Sequence, residues 1–430
     1  MKKIISKVAI LAAATTLAWS AQAQQLGVTK DQIVLGSIQD LSGPLAGFSK
    51  PAKNGMQMRV DEINATGGVN GRMIKLVVED SGYDPKKGLL AAQKMVQQDK
   101  IFAMAGTIGT AVAMATMPIL FEKNIPHVFP LTGAREMYDP LHKLKFSFAA
   151  PYYDQIRIGV KWMAKEQGSK KFCIIYQDDE YGLEVLRGAE DGLKDIGMTL
   201  AEKTSFKRAA TDFSAQVAKM KGAGCDTVVM GTIIREALGT IGTARKMGWN
   251  PQFLGCSASY TDLIHKLGGK AVEGFYAMHQ VSVPYPDDAS KNVRDWAAAY
   301  KAQFKEDPSL FSAYGYVIAD LFYQTAKRAG PNLTTDSFVK ALESAPFARD
   351  MFGSPEYKFT ATQHLGNQKS RVSQIQNGKW VTITDYLLFS GADSAGFSPP
   401  FAAPHGCRRW PGKFRAGSRA ARKSAPASPR

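Results

Sequence analysis

The sequence lacks the short motifs that mark most enzymes and metal-binding proteins. In 430 residues it has four cysteines and six histidines, and these form neither a Cys-x-x-Cys pair nor a His-Glu-x-x-His motif. No GxxxxGK(S/T) phosphate loop, no GxGxxG turn after a strand and no GxSxG nucleophile elbow is present. An active site assembled from distant residues is compatible with this pattern, but a binding protein without metal or cofactor is the simpler interpretation.

The few cysteines also lie far apart along the chain. Their spacing predicts neither a disulfide framework nor a zinc site. We therefore interpret Cys173, Cys225 and Cys256 as small buried thiols.

Acidic residues are outnumbered by basic ones, 38 to 54, and the formal net charge is +16. Much of this excess lies at the two ends: +3 in residues 1–23 and +7 in residues 391–430. Because the rest is spread over the middle of the chain, the charge does not indicate a nucleic-acid-binding protein. Residues 391–430 are rich in Pro, Arg, Ser and Ala, so we expect a disordered, solvated tail, with binding to anionic membranes or nucleic acid as the less favoured alternative.

The first residues have the layout of a secretory signal. Lys2, Lys3 and Lys7 form a basic start, residues 8–19 are mostly apolar, and Ala21-Gln22-Ala23 is a small-x-small cleavage site. The apolar run is too short to span a bilayer core of about 30 Å. We expect cleavage after Ala23 and a periplasmic location.

Residues 101–121 form an uncharged run of near membrane-spanning length in the body of the chain. It is interrupted by Gly106, Thr107, Gly109 and Thr110, which are typical of a turn. We therefore predict a short strand, a turn and a buried helix here rather than a membrane span.

Short apolar runs alternate with segments of helical periodicity through most of the chain. The predicted strands are 33–38, 74–78, 102–105, 172–176 and 227–230. Apolar residues recur at helical spacing in four places: Met56, Val60 and Ile63; Leu186, Ala189, Leu193 and Ile196; Phe213, Val217 and Met220; and Val293, Trp296, Tyr300 and Phe304. The alternation runs twice, over 31–148 and 150–277, and predicts an α/β fold with parallel sheets. After residue 278 come two longer predicted helices (289–305 and 311–329), a strand (371–376) and an Asn377-Gly378 turn.

An ordered set of motifs runs along the chain: Ile33-Val34-Leu35-Gly36, Leu41-Ser42-Gly43-Pro44-Leu45, Asn54-Gly55, Glu62-Ile63-Asn64, Gly67-Gly68-Val69-Asn70-Gly71-Arg72, Asp84-Pro85, Tyr181-Gly182 and Phe213-Ser214. Together these motifs resemble the periplasmic solute-binding proteins of branched-chain amino-acid-type ABC transporters. The resemblance spans about 31–385 and implies two Rossmann-like lobes with parallel sheets, joined by a three-strand hinge. It places lobe 1 at 31–148 with 280–371, lobe 2 at 149–279 with 372–390, and the crossings near 148–150, 278–280 and 371–373.

The same resemblance implies a set of ligand-binding residues in the cleft between the lobes. Thr110 lies at a strand-to-helix turn, where a hydroxyl and free backbone N–H groups can hold a carboxylate. A second polar turn, Leu131-Thr132-Gly133-Ala134, and the aromatic side chains of Phe48 and Tyr181 match ligand-facing positions of the family. The alternatives are a helix cap for Thr110, an ordinary loop residue for Thr132 and loop packing for Phe48.

The chain departs from the amino-acid-binding pattern at Ser257. Family members that bind amino acids have an acid there, which pairs with the ammonium of the ligand, and a family tyrosine position falls at Ile233–Ile234. A buried ammonium without a counter-charge costs several kcal/mol. We therefore expect the solute to be a carboxylate or carbonyl compound with an apolar body and no obligatory ammonium, unless Arg235 or Glu236 restores charge recognition.

The resemblance implies a receptor that delivers a small carboxylate or amino-acid-like solute to ABC permease subunits at the inner membrane. Two other functions stay open: a periplasmic ligand-sensing subunit of a signalling system, and an exported hydrolase, which no motif supports.

Overall fold

The computed structural model describes residues 25–388, so the expected signal peptide and the expected tail lie outside the described residues. The strands are β1 (Gln32–Gln39), β2 (Met73–Asp80), β3 (Ala103–Ala105), β4 (His127–Val128), β5 (Lys145–Phe146), β6 (Phe172–Gln177), β7 (Leu200–Phe206), β8 (Thr227–Gly231), β9 (Gln252–Gly255), β10 (Tyr276–His279), β11 (Lys369–Gln376), β12 (Lys379–Thr382) and β13 (Leu387–Leu388). The helices are α1 (Ala46–Ala65), α2 (Pro85–Lys94), α3 (Thr110–Glu122), α4 (Tyr152–Glu166), α5 (Glu180–Lys194), α6 (Ser214–Gly222), α7 (Ile234–Lys246), α8 (Asp262–Gly268), α9 (Lys291–Phe304), α10 (Leu310–Ala329) and α11 (Thr335–Ser344).

The strands form two sheets, one in each lobe. The first sheet has the order β2-β1-β3-β4-β5, and all of its pairs are parallel. The second has the parallel order β7-β6-β8-β9-β10, followed by antiparallel β11 and β12. Both sheets thus repeat one strand order, which confirms the two-lobed α/β fold that the alternation predicts.

The predicted elements are present at nearly the predicted positions. Residues 101–121 contain β3, a turn and most of α3, as their glycines and threonines indicate. The Asn377-Gly378 turn joins β11 to β12, and both residues have positive φ, 53° and 72°. No helix between residues 25 and 388 is both long and apolar enough to cross a membrane.

The buried face of α5 differs from the one that periodicity predicts. Of the four apolar residues, Leu186 is only half-buried, and Ile196 lies beyond the helix end with 40% of its surface exposed. The reason is that α5 packs closely against α4 through glycines. A Cβ on Gly188 would lie 2.5 Å from the Tyr153 carbonyl oxygen, and one on Gly192 would lie 2.6 Å from the Arg157 carbonyl oxygen. Ala189 and Leu193 are buried as predicted, and Gly188 and Gly192 take the places expected for Leu186 and Ile196.

The interpretation of the cysteines as buried thiols is wrong for two of them. Cys173 and Cys225 form a disulfide with a Cα–Cα distance of 5.9 Å. Cys173 lies in β6 and Cys225 just precedes β8, and these two strands are neighbours in the second sheet. Their sequence separation of 52 hides this proximity. Cys256 is a buried free thiol, as expected.

The three predicted crossing segments lie side by side. His279 pairs with Arg371 at the junction of β10 and β11. The buried side chain of Gln280 joins the segments, because its Oε1 accepts from the Ala150 backbone N–H and from Asn367 Nδ2. Gln280 is therefore the hydrogen-bonding centre of this junction.

Candidate ligand-binding cavity

A cavity of about 60 Å³ lies where the carboxyl ends of strands from both sheets meet. This is the edge at which open α/β sheets bind ligands, because the loops that follow successive strands converge there. Residues after β1, β3 and β4 line it from the first sheet, and residues after β6, β8 and β9 line it from the second. The lining residues are Leu45, Phe48, Tyr83, Ile108, Gly109, Thr110, Leu131, Thr132, Gly133, Phe148, Ala149, Tyr152, Tyr181, Ile233, Ser257, Ala258, Phe311 and Tyr314.

The hydroxyls of Thr110 and Thr132 meet at one wall of this cavity. Their Oγ1 atoms lie 2.7 Å apart, and the two residues are 2% and 3% exposed. The Ala134 backbone N–H donates to Thr132 Oγ1 over 3.3 Å. Because only one O–H is needed between the two threonines, the other is left to donate to a further acceptor.

The amino end of α3 opens onto the same wall. Within residues 25–388, no side chain caps this end, and Gly109 precedes it with a φ of 90°. The first hydrogen bond of the helix runs from the Ala113 N–H to the Gly109 carbonyl, so the N–H groups of residues 110–112 have no acceptor within the helix. The helix dipole gives this end a partial positive charge. Thr110, the first residue of α3, is thus both a hydroxyl donor and part of a buried anion-binding end.

Tyr181 lies in the first turn of α5 at the opposite wall. Its hydroxyl donates to the Thr232 carbonyl over 2.9 Å and lies 3.5 Å from Cys256 Sγ. Burial raises its pKa well above the usual value, so the phenol stays neutral. Its proton is therefore used within the protein, and the ring rather than the hydroxyl forms the wall. Burial also raises the pKa of Cys256 to about 11, so this thiol is not a nucleophile at neutral pH.

Aromatic rings form most of the remaining wall. Phe48 stacks on Phe311 with 4.0 Å between the ring centroids, so the predicted aromatic residue is part of a ring pair. Phe148 and Tyr314 meet edge to face at 5.8 Å. Tyr152 meets the Tyr181 ring in the same way at 5.1 Å. These contacts produce a largely apolar chamber suited to the body of an organic ligand.

Two predicted site residues do not line the cavity. Ala134 packs in a small apolar cluster with Met137, and it contributes only its N–H, which supports Thr132. Ile234 is partly buried beside the core, and its neighbour Ile233 lines the cavity instead. The other six predicted residues line it: Phe48, Thr110, Leu131, Thr132, Tyr181 and Ser257.

No charged residue is among the lining residues of this cavity. Ser257 occupies the position where an acid would be expected for an amino-acid ligand. Arg235 and Glu236 pair with each other at 3.0 Å, and neither lines the cavity. Within the described part of the chain, three or more His, Cys, Asp or Glu residues nowhere converge as metal ligands.

Sequence patterns missed several lining residues because their positions depend on the fold. Phe311 and Tyr314 belong to the first turns of α10, about 200 residues from Thr110 in sequence. Tyr83 follows β2 at a positive φ of 57°, and no local motif distinguishes it. For Tyr152 the sequence does offer a signal, because this residue belongs to the aromatic-rich segment 146–153, which connects the two sheets.

Comparisons with known proteins agree with this fold. The Leu/Ile/Val-binding protein homolog 7 of Brucella abortus (strain 2308) is 24% identical over 387 residues, covering 85% of this chain and 95% of its own length. A fatty acid ABC transporter substrate-binding protein from Thermomonospora curvata superposes with a TM-score of 0.77 at 23% identity, covering 86% of this chain and 96% of that chain. A branched-chain amino acid ABC transporter protein from Thermus thermophilus with bound valine gives 0.76 at 17% identity, with coverages of 84% and 98%.

At these identities the two solved structures support the fold, and the family assignment comes from the sequence itself. Residues 32–379 match the family described as periplasmic binding protein. The match runs from the start of β1 to the start of β12 and so includes both sheets. The chain belongs to the periplasmic binding protein family.

Proposed function

We propose that this protein is the exported solute-binding receptor of an ABC importer. It captures a small carboxylate between two lobes in the periplasm, without transforming it, and delivers it to permease subunits. The lobes are 31–148 with 280–371 and 149–279 with 372–390. The observation that carries the proposal is the buried cavity at the carboxyl ends of strands from both sheets, with an uncapped helix end in its wall.

The carboxylate is held at the first-sheet side of the cavity. An anion accepts from the N–H groups at the start of α3 and from the one O–H that Thr110 and Thr132 do not use between themselves. These neutral donors stabilise a buried negative charge without a salt bridge, as helix ends and hydroxyls do in other anion sites.

The apolar body of the ligand is held by aromatic rings, and nothing in the cavity wall neutralises an ammonium group. An α-amino acid would bury its ammonium beside Ser257 without a carboxylate, at a cost of several kcal/mol. We therefore propose an aromatic or short branched carboxylic acid as the ligand. Of the two solved structures with this fold, one is named as a fatty acid ABC transporter substrate-binding protein and the other holds bound valine, so the proposed ligand class is consistent with the fold.

Isothermal titration with benzoate, isovalerate and leucine tests this proposal. We expect one of the two acids without an amino group to bind more tightly than leucine. In the Thr110→Val and Thr132→Val double variant, affinity should fall about 10- to 100-fold, since hydrogen bonds to a charged group are lost. Thr116→Val is the matched control, because Thr116 is a buried threonine of the same helix that bonds to the Ala113 carbonyl outside the cavity. Tight leucine binding would contradict the ligand class.

A further inference from the structure

The two lobes are joined beside the cavity by a charged pair, Arg135 and Glu184. Arg135 follows the first-sheet strand β4, and Glu184 lies on α5 of the second lobe. Arg135 Nε donates to Glu184 Oε2 and Nη2 donates to Oε1, both over 2.9 Å. The Arg135 backbone N–H adds a third bond to Oε2 at 3.3 Å. This bidentate arrangement is the strongest geometry available to an arginine and a carboxylate.

Both partners are placed directly beside ligand-cavity residues. Arg135 is three residues after Thr132, and Glu184 is three residues after Tyr181 on the same helix face. The Arg135 guanidinium also lies 4.0 Å from the centre of the Tyr153 ring, another group of the second lobe. Any movement that separates the lobes must therefore break the contacts of one guanidinium with both the Glu184 carboxylate and the Tyr153 ring.

The Glu184 side chain is much more deeply buried than that of Arg135, and this difference affects the free energy that the pair contributes. The Glu184 side chain is 1% exposed, whereas that of Arg135 is 33% exposed. Arg187 also contacts Glu184 at 3.2 Å, from the next turn of the same helix. A buried carboxylate is stable only while it is paired with cations. Arg187 stays beside Glu184 on the same helix, whereas Arg135 belongs to the other lobe, so this carboxylate favours the conformation in which the lobes meet.

A second contact crosses between the lobes beside β2 and β6. Gln177 Nε2 donates to the Tyr83 hydroxyl over 3.2 Å. The Arg208 guanidinium lies 5.2 Å from the centre of the Tyr83 ring and pairs with Asp179 at 2.9 Å. Tyr83 itself lines the cavity, so this contact is made beside the ligand as well.

We propose that Arg135 and Glu184 form a clasp that sets the lifetime of the ligand-bound closed state. Neither residue lines the cavity, so both act as positioning residues and not as ligand contacts. The clasp rests on the proposed function, because it has a role only if the lobes open and close around a solute. The proposal predicts a specific kinetic effect. Loss of the clasp increases the rate of ligand dissociation and leaves the ranking of ligands by affinity unchanged.

The test measures binding and release of benzoate by stopped-flow fluorescence in Arg135→Gln and Glu184→Gln. We expect the dissociation rate to rise about 10- to 100-fold, the loss expected for hydrogen bonds to a charged group, with a smaller change in the association rate. Arg135→Lys keeps the charge without the bidentate fork and should fall between the wild type and Arg135→Gln. The free energy of unfolding without ligand, measured by urea, checks that each variant folds.

The matched control is Arg157→Gln. Arg157 makes an equally bidentate pair with Asp195, at 2.7 and 2.9 Å, but both residues belong to the second lobe. This variant should release benzoate at the wild-type rate. Unchanged dissociation in both clasp variants, or equal acceleration in the Arg157→Gln control, would overturn the clasp while leaving the receptor function intact. If the wild-type protein binds none of benzoate, isovalerate and leucine, the proposed receptor function is contradicted. The clasp proposal depends on that function and is then contradicted as well.

Discussion

Gln155 and Ser257 are joined by two hydrogen bonds that place the serine at the cavity wall. Gln155 Nε2 donates to Ser257 Oγ over 3.0 Å, and the Ser257 backbone N–H donates to Gln155 Oε1 over 2.8 Å. The same amide also donates to the Ala150 carbonyl over 2.7 Å, beside the junction of the lobes. The position of residue 257 is thus determined by α4 and not by the ligand. A substitution at this position should therefore change the charge and hydrogen bonding of the cavity wall more than its shape.

Ser257→Asp should shift the preference of the cavity towards amino acids. It supplies the carboxylate that a buried ammonium needs, and the backbone bond to Gln155 is kept. We expect leucine affinity to rise at least about 10-fold and benzoate affinity to fall, as measured by isothermal titration. Ser257→Asn, of the same size without the charge, is the control and should give no gain for leucine. An equal response of both variants would show that charge at this position does not select the ligand.

The Cys173–Cys225 disulfide should contribute substantially to stability. A crosslink that closes a loop with a sequence separation of 52 lowers the entropy of the unfolded chain, and the expected contribution is about 2–4 kcal/mol. Urea unfolding should therefore show this loss when reductant is added to the wild type. The Cys173→Ala and Cys225→Ala double variant should lose the same amount of unfolding free energy as the reduced wild type, and reductant should cause no further loss. A Cys256→Ala variant should retain the full response, because its thiol is free.

Gln280→Leu should loosen the junction between the lobes. It removes the acceptor of the Ala150 N–H, which leaves this buried donor without a partner, and one of the two acceptors of Asn367 Nδ2, which keeps its bond to the Lys369 carbonyl. A loss of about 1–3 kcal/mol in the free energy of unfolding is expected for this. Small-angle scattering of the ligand-free variant should also show a larger radius of gyration. Gln374→Leu removes a bond to the Gly274 carbonyl and one from Gln376 Nε2, both at the far end of β11, and should leave the radius unchanged.

Asp154 should make the protein less stable as the pH rises from about 4 to about 6. Burial raises its pKa to about 6 from an ordinary value near 3.8, so the folded state binds more protons than the unfolded state within that window. Stability is therefore lost with rising pH there, by about 1–3 kcal/mol in total. Asp154→Asn should remove this slope and be the more stable protein at pH 8, as measured by urea unfolding. Identical pH profiles for wild type and variant would contradict the shift.

The sequence alone predicts about half of the described elements, because their apolar runs and periodicities are local: β1, β2, β3, β6, β8 and β11, and α1, α3, α5, α6, α9 and α10. It also places Thr110 correctly at the start of a buried helix, since the turn glycines beside it are visible in the chain. The resemblance to solute-binding proteins then adds Thr132, Tyr181 and Ser257, each of which lines the cavity.

What the sequence misses is decided by strand neighbours and helix contacts. The disulfide depends on β6 and β8 being adjacent, and the clasp joins residues 49 positions apart. The buried face of α5 follows from Gly188 and Gly192, which allow closer packing than leucines would. Phe311 and Tyr314 reach the cavity from α10, which follows all the parallel strands of both sheets in sequence.

The engaged hydroxyl of Tyr181 has a consequence for the sequence of events during capture. Because its proton is already given to the Thr232 carbonyl, Tyr181 offers a solute its ring and no hydroxyl proton. For the receptor proposed above, we therefore expect an arriving anion to lose its hydration shell mainly on the Thr110 side, where the free N–H groups of α3 lie. The second lobe would then close over a solute that is already dehydrated at its charged end, and release would follow the reverse order.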